Sequence, residues 1–511
     1  MPAPPPAARA ADAAAAAAAD VTMAKLCQLT FSEAQYQQLR HAIDDDYYFE
    51  FQLDKLPMWG FVGETKLVDG SEQTFLFTHL HFHFGYNGDQ LIEATVSTDA
   101  KLESRLAAGQ PVEFTYSITW SATDVPYGKR MDKYSKSSFL PMHLEIHWFS
   151  IINSFVTVLM LTGFLATIMM RVLKNDFVKY ERDVEADDDD ESGWKNLAGD
   201  VFRFPPRISL LCSILGVGAQ LFALMVSFFL LGTGGLFYGG NAGHQHVAII
   251  VLYALTAGVA GFVSAAAFKK FQGGNWVHNV LQTAVLLALP FFLVFCVENT
   301  IAWYNDVTTA LPATTILFVA AVWALVTFPL TVFGAIAGRR RATPEFAPCR
   351  TTKVAREVPI GQPWFRRTGS QMLMAGFLPF SAIYIELAYV FASVWGHKSY
   401  TVYGILLIVF VILLVVTAFI NIALTYFTLA AEDWRWWWRA VFNGGSTGVF
   451  IFIYSIYYWL FAAEMDGFLQ ASFFFGYMGV VCFAFFVMLG AVGFLSSLAF
   501  VLYIYKSVHA D

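Results

Sequence analysis

The chain has 511 residues, of which 57% are hydrophobic and 14% charged, with a mean hydropathy of +0.53. Soluble domains carry about 25% charged residues, so a water-soluble globular fold is excluded, and nothing in the composition supports nucleic-acid binding. The formal net charge of -7 says little about partners, because it depends heavily on one acidic run, Asp187 through Glu191, that reads as a solvated linker.

Residues 1 to 22, rich in Pro and Ala, form a low-complexity tail with too little apolar surface to order itself. They lack the basic start and strongly apolar core of a signal peptide. Since about 146 residues must be translocated ahead of the first apolar stretch, the expectation is that the natural N-terminus, with its signal sequence, precedes Met1. Cys27 points the same way. Cys212, Cys296 and Cys482 lie in apolar stretches and Cys349 in a basic loop, which leaves Cys27 unpaired on its side.

From about 45 to 125 the chain alternates aromatic and β-branched residues with polar ones, as in Thr74-Phe75-Leu76-Phe77-Thr78 and Val112-Glu113-Phe114-Thr115-Tyr116. Turn signals such as Asn87-Gly88-Asp89 separate these runs, so a small antiparallel β domain is predicted over 23–146. Within it His79, His81 and His83 alternate, and a strand places all three imidazoles on one face. Such a row could serve zinc or copper, although same-face neighbours stand about 6.5 to 7 Å apart, too far to converge easily on one ion. A histidine-rich solvent face is the plainer reading.

Nine apolar stretches follow, at about 147–170, 208–232, 246–268, 277–301, 313–337, 372–395, 403–427, 444–463 and 471–504. Each reaches or approaches the roughly 20 residues a helix needs to cross the hydrocarbon layer. The connections after the odd-numbered stretches, with the C-terminal tail, carry 20 Lys and Arg; those after the even-numbered ones carry 1. Basic loops stay in the cytosol. The prediction is therefore an α-helical polytopic membrane protein of nine transmembrane helices in 147–511, preceded by a small lumenal β-rich domain, with the long loops 171–207 and 338–371 and the C-terminus cytosolic.

Two carboxylates lie inside apolar stretches: Glu298, beside Asn299, in the fourth and Glu386 in the sixth. An acid at mid-membrane costs about 2.5 to 3.5 kcal/mol on insertion scales, so these residues either mark a transport pathway or partner, or serve packing when protonated or hydrogen-bonded. Pro290 and Pro379 interrupt the backbone ladder of the same two helices. Trp434, Trp436, Trp437 and Trp438, interleaved with Arg435 and Arg439, read as an aromatic belt at the headgroup level. Recurrent glycines, among them Gly216, Gly218, Gly258, Gly261, Gly490 and Gly493, permit close helix approach. No phosphate-cradling loop, Cys-x-x-Cys pair or Asn-x-Ser/Thr sequon occurs, and no catalytic residue, cofactor or glycan is expected.

Several longer segments bear a family likeness. They are Phe114-Thr115-Tyr116-Ser117-Ile118-Thr119-Trp120, His143-Leu144-Glu145-Ile146-His147-Trp148, Gly193-Trp194-Lys195, Gly274-Asn275-Trp276, Gly376-Phe377-Leu378-Pro379-Phe380 and Ala431-Glu432-Asp433-Trp434-Arg435-Trp436-Trp437-Trp438-Arg439. Together they resemble the nonaspanins, the transmembrane-nine superfamily, over about residues 25–511. The resemblance implies a lumenal β-rich domain and nine helices in Golgi and endosomal membranes. It also implies a non-enzymatic role in sorting or surface delivery of other multispanning proteins, with no catalytic residue to carry over. Family tails often end in Lys-x-Asp or Lys-x-Glu, read by the COPI coat. Here the tail ends His509-Ala510-Asp511, and an exposed histidine is mostly neutral at cytosolic pH, so a weakened COPI contact is expected.

Overall fold

A computed structural model describes residues 21–44, 47–54, 56–68, 71–98, 103–105, 109–127, 130, 148–185, 193–234, 236, 242–305, 307, 310–343, 347–349, 351–358, 363–395, 403–463, 465 and 467–507. The chain divides into two compact units that part at residues 146–147.

The first unit is built on strands β1 (Val21–Thr30), β2 (Tyr48–Leu53), β3 (Leu56–Phe61), β4 (Gly63–Val68), β5 (Ser71–Phe77), β6 (His79–Asn87), β7 (Gln90–Thr98), β8 (Glu103–Arg105) and β9 (Pro111–Ala122). One helix, α1 (Glu33–Asp44), interrupts them. It starts at a reciprocal cap: the Gln35 amide donates to Ser32 Oγ (3.5 Å) while the Ser32 amide donates to Gln35 Oε1 (3.0 Å). The largest sheet has the order β1-β9-β6-β7, and β2-β3 and β4-β5-β8 form two smaller ones. The sequence reading of an antiparallel domain is corrected at one seam, because β6 and β9 run parallel, with His79 opposite Thr115 and His83 opposite Thr119. A parallel pair needs a crossover rather than a hairpin, and the chain between these strands supplies one through β7 and β8. Phe82, Phe84 and Ala94 of the large sheet are buried against Leu56 and Met58 of β3, so period-two apolar residues fill this core.

The second unit is helical. Its elements are α2 (Trp148–Glu185), α3 (Ile208–Thr233), α4 (Ala242–Lys270), α5 (Trp276–Val285), α6 (Ala288–Tyr304), α7 (Ala313–Val322), α8 (Phe328–Arg341), α9 (Thr368–Val394), α10 (Tyr403–Ala430), α11 (Trp436–Phe461) and α12 (Phe468–Ser507). Among the described residues nine spans are long and apolar enough to cross a membrane, the fourth formed by α5 with α6 and the fifth by α7 with α8. Pro290 sits in the first turn of α6, where a missing N–H is harmless, so the fourth span breaks just before it, whereas α9 runs through Pro379. In the fifth span a π-helical turn, Trp323–Thr327, precedes Pro329, whose ring removes one N–H from the regular ladder.

Small residues set the closest helix crossings. A Cβ on Gly261 would strike the Thr331 carbonyl oxygen, and one on Gly334 the backbone of Gly258, so α4 and α8 touch backbone to backbone. Lipid tails are as apolar as leucine, and such close packing is what drives helix association in a bilayer.

The tryptophan motif departs from its sequence reading. Trp436 and Trp437 are fully buried, not set in a headgroup belt: Trp436 lies 5.6 Å from the Phe494 ring of α12, nearly parallel to it. All four indole N–H groups donate to backbone oxygens of the two long basic loops. Trp436 and Trp437 donate to Val201 (2.9 and 3.3 Å), Trp438 to Pro206 (3.0 Å) and Trp434 to Arg356 (3.1 Å). Buried Asp433 accepts from Arg439 (2.8 Å) and Arg435 (3.1 Å), while Glu432 accepts from the Gly193 amide (3.2 Å) and Arg356 (3.1 Å). The motif is a clasp that fastens both loops to the bundle.

Candidate functional site

In the first unit the histidine row lies on one face, as alternation requires, and parallel pairing sets β9 hydroxyls beside it. His79 binds Thr115 through Nδ1 (2.8 Å) and Ser117 through Nε2 (2.9 Å). His81 binds Ser117 (2.7 Å) and Thr119 (3.3 Å), and His83 binds Thr119 (3.1 Å) and Ser121 (3.2 Å). The result is one unbroken chain of imidazoles and hydroxyls. Neutral imidazoles satisfy it completely when each carries its proton on the same side, one nitrogen donating and the other accepting. Every ring nitrogen is thus engaged, and among the described residues no group of three or more His, Cys, Asp or Glu is placed to hold a metal.

Both intramembrane acids are buried. Glu298 is 5% exposed and Glu386 7%. Glu298 on α6 points at Gly476 on α12, where an added Cβ would come within 2.5 Å of Glu298 Oε1, and its Oε2 has no hydrogen-bond partner among the described residues. Asn299 does something different: it donates to the Leu311 carbonyl (3.2 Å) and accepts from the Leu311 amide (2.8 Å), pinning the connection to the fifth span. The sequence neighbours Glu298 and Asn299 therefore do not form one site. Glu386 lies on α9. The tail residues His509 and Asp511 lie outside the described residues.

Sequence reading passed over two polar clusters. In one, Asn279 and Thr283 of α5 meet Ser264 of α4 and Ser213 of α3 at 2.8 to 3.1 Å, and Ser209 of α3 donates to Asn279 Oδ1 (3.5 Å). A second set of buried polar residues is strung along α9–α12: Gln371, Thr417, Asn421, Thr425, Thr428, Asn443, Thr447 and Ser497. Thr425 donates to Ser497 (2.9 Å), and Asn421 donates to the Thr417 carbonyl (2.8 Å). The available signal was polar residues four apart inside apolar stretches, Thr417 with Asn421 and Asn443 with Thr447, which share a helix face.

A family model described as endomembrane protein 70 matches residues 11–468. The chain is 53% identical over 492 residues to Transmembrane 9 superfamily member 4 of Arabidopsis thaliana, covering 95% of this chain and 83% of that protein. It is 48% identical over 502 residues to Transmembrane 9 superfamily member 1 of Bos taurus, at the same coverage. A Dictyostelium discoideum protein named as a candidate phagocytic receptor, 1b, is 46% identical over 498 residues, 95% of this chain and 84% of that one. No solved structure matches the chain.

Proposed function

The chain belongs to the endomembrane protein 70 family of transmembrane-nine proteins, and from that premise we propose that it acts without enzymatic chemistry in sorting, trafficking or surface delivery of other multispanning membrane proteins. In this reading it resides in Golgi and endosomal membranes, with its β-rich unit lumenal and its C-terminus cytosolic. Its partners are membrane lipid, multispanning cargo and, through a contact weakened by His509, the COPI coat. The name of the Dictyostelium relative, that of a candidate receptor in phagocytosis, accords with a role in handling surface proteins.

The observation that carries the proposal is the first span. Of Phe155–Val178 only Met169 is buried. It rests on the bundle along one narrow edge, where Val158 and Leu165 pack against Ala375, Val416 and Ile420. On its free flank Leu159, Met160 and Phe164 are exposed, and nothing lies within 4 Å of where a Cβ on Gly163 would stand. A foreign helix can close on such a flank, because small residues admit the backbone contact that holds helices together in lipid. A photo-crosslinker at Phe164 should capture multispanning proteins, and deleting the gene should change which of them reach the surface. Capture of lipid alone, with every multispanning protein unmoved by deletion, refutes the reading.

Buried Glu298, with one carboxyl oxygen unpartnered among the described residues, supports a second reading as a transporter or channel for an ion or small solute. Protein in liposomes would then show a flux that Glu298→Gln or Glu386→Gln alters, and silence across a broad panel removes that reading.

A further inference from the structure

Basic side chains on the helical unit fall into two groups. Those of the tryptophan clasp are paired: Arg203 with Asp200 (2.6 Å), Arg356 with Glu432 (3.1 Å), and Arg435 and Arg439 with Asp433. Lys269 and Lys270 end α4, and Arg339, Arg340 and Arg341 end α8. None of these meets a carboxylate among the described residues, and all but Lys269 are exposed. The nearest acid in sequence to Arg341, Glu345, lies outside the described residues.

Close packing brings the two basic helix ends together. Added Cβ atoms on Gly334 and Gly338 would strike the backbones of Gly258 and Phe262 in turn, so α4 and α8 run parallel and finish side by side. There Lys269 Nζ donates to the Arg339 carbonyl (2.8 Å), and the Arg339 guanidinium lies over the Trp276 ring, 4.9 Å from its centroid. Lys270, Arg340 and Arg341 follow directly in sequence. A helix C-terminus carries about -0.5 of an elementary charge, so the two ends offset about one of the positive charges and leave about four unbalanced. Retention of basic loops in the cytosol asks only that cations stay on one side, not that they gather at adjoining helix ends.

We infer that these adjoining helix ends bind the headgroup of a polyanionic phospholipid, an inositol lipid carrying phosphomonoesters. Arginine meets phosphate through two parallel N–H···O bonds, and lysine adds a compact charge. Basic pockets between helices at a membrane face serve such headgroups. A lipid, rather than a soluble phosphate, is indicated by the surface beside the charges. Phe333 and Ile336 precede Arg340 by two turns and one turn on the same flank of α8, and both are exposed. Acyl chains can lie along that flank while the phosphates reach the guanidinium groups. Trp276 engages Arg339, which leaves Lys270, Arg340 and Arg341 to the ligand. That this end faces the cytosol rests on the topology proposed above, but the binding itself does not.

The test uses the purified full chain in phosphatidylcholine nanodiscs, which expose both membrane faces and so do not depend on orientation. The discs are doped with phosphatidylinositol bisphosphate, or with phosphatidylserine at equal total charge, and native mass spectrometry of the released protein counts the lipids retained. The bisphosphate should be retained in preference to phosphatidylserine. Replacing Lys270, Arg340 and Arg341 together by Gln should raise its half-saturating concentration about a hundredfold, while Lys353→Gln, an exposed cation on the other long loop, leaves it unchanged. Should the triple variant fail to fold, Arg340→Gln alone decides, with an expected weakening of about fivefold. Equal retention of both lipids, or undiminished retention by the folded variants, overturns the inference. Displacement of the lipid by free inositol trisphosphate at equal concentration would assign these helix ends to a soluble phosphate and overturn it as well.

Discussion

At Gly261 a hydrogen stands where any other residue would carry a methyl or more, and that decides how closely α4 and α8 cross. An added Cβ would collide with the Thr331 carbonyl, a backbone atom that cannot swing aside. Gly261→Val should therefore destabilise the bundle by about 1–3 kcal/mol, as overpacking does in tight cores, and lower the thermal midpoint of the purified protein. Gly274→Ala, where nothing lies within 4 Å of the new Cβ, should leave it unchanged. At the tail, His509→Lys restores a permanent positive charge two residues before the terminal Asp511. The proposed coat contact predicts that a tagged protein shifts toward the Golgi, and an unmoved distribution would count against that contact. Single residues were unevenly legible. Alternation alone placed His79, His81 and His83 on one face, because side-chain direction in a strand is local. It could not supply Thr115, Ser117, Thr119 and Ser121, which arrive from β9 through a parallel pairing fixed only by the folded sheet. Glu298 and Asn299 looked like one polar pair, yet neighbours on a helix point about 100° apart, and the two meet different elements.

Elements were legible where hydrophobicity alone decides them and obscure where packing does. Nine apolar stretches became nine candidate spans among the described residues, because a helix satisfies its own backbone hydrogen bonds in lipid. The break between α5 and α6 and the π-helical turn before Pro329 were hidden, since proline signals interruption without saying how the freed groups are satisfied. The tryptophan run was misread for a related reason. An indole at the headgroup level and an indole beneath a folded loop look alike in sequence, both wanting an apolar bed and one acceptor. Here the acceptors are carbonyls of Val201, Pro206 and Arg356, so the motif belongs with the loops as much as with α11. Trp436→Ala removes a fully buried side chain and its bond to Val201, at a cost of about 3–5 kcal/mol. It should speed trypsin cleavage within 193–207 and 347–358. Trp438→Phe, which gives up one hydrogen bond worth about 0.5–1.5 kcal/mol, should leave cleavage close to wild type. Equal cleavage of all three proteins would show that the loops hold without the clasp.

For the whole molecule, the governing quantity is the distribution of positive charge: 20 Lys and Arg on the odd-numbered connections and the tail against 1 on the even-numbered ones. In the proposed topology that asymmetry, with the odd number of spans found among the described residues, puts the β-rich unit and the tail on opposite sides of the membrane. The chain contains no Asn-x-Ser/Thr sequon, so an introduced acceptor reports its own location without background. Asp89→Thr completes such a sequon at Asn87, an exposed residue at the turn between β6 and β7. Expressed from its own locus, this variant should gain a glycan that an endoglycosidase removes, while an acceptor built into the 338–371 loop stays bare. A bare Asn87 with a glycosylated 338–371 loop would contradict the topology on which the proposed function rests.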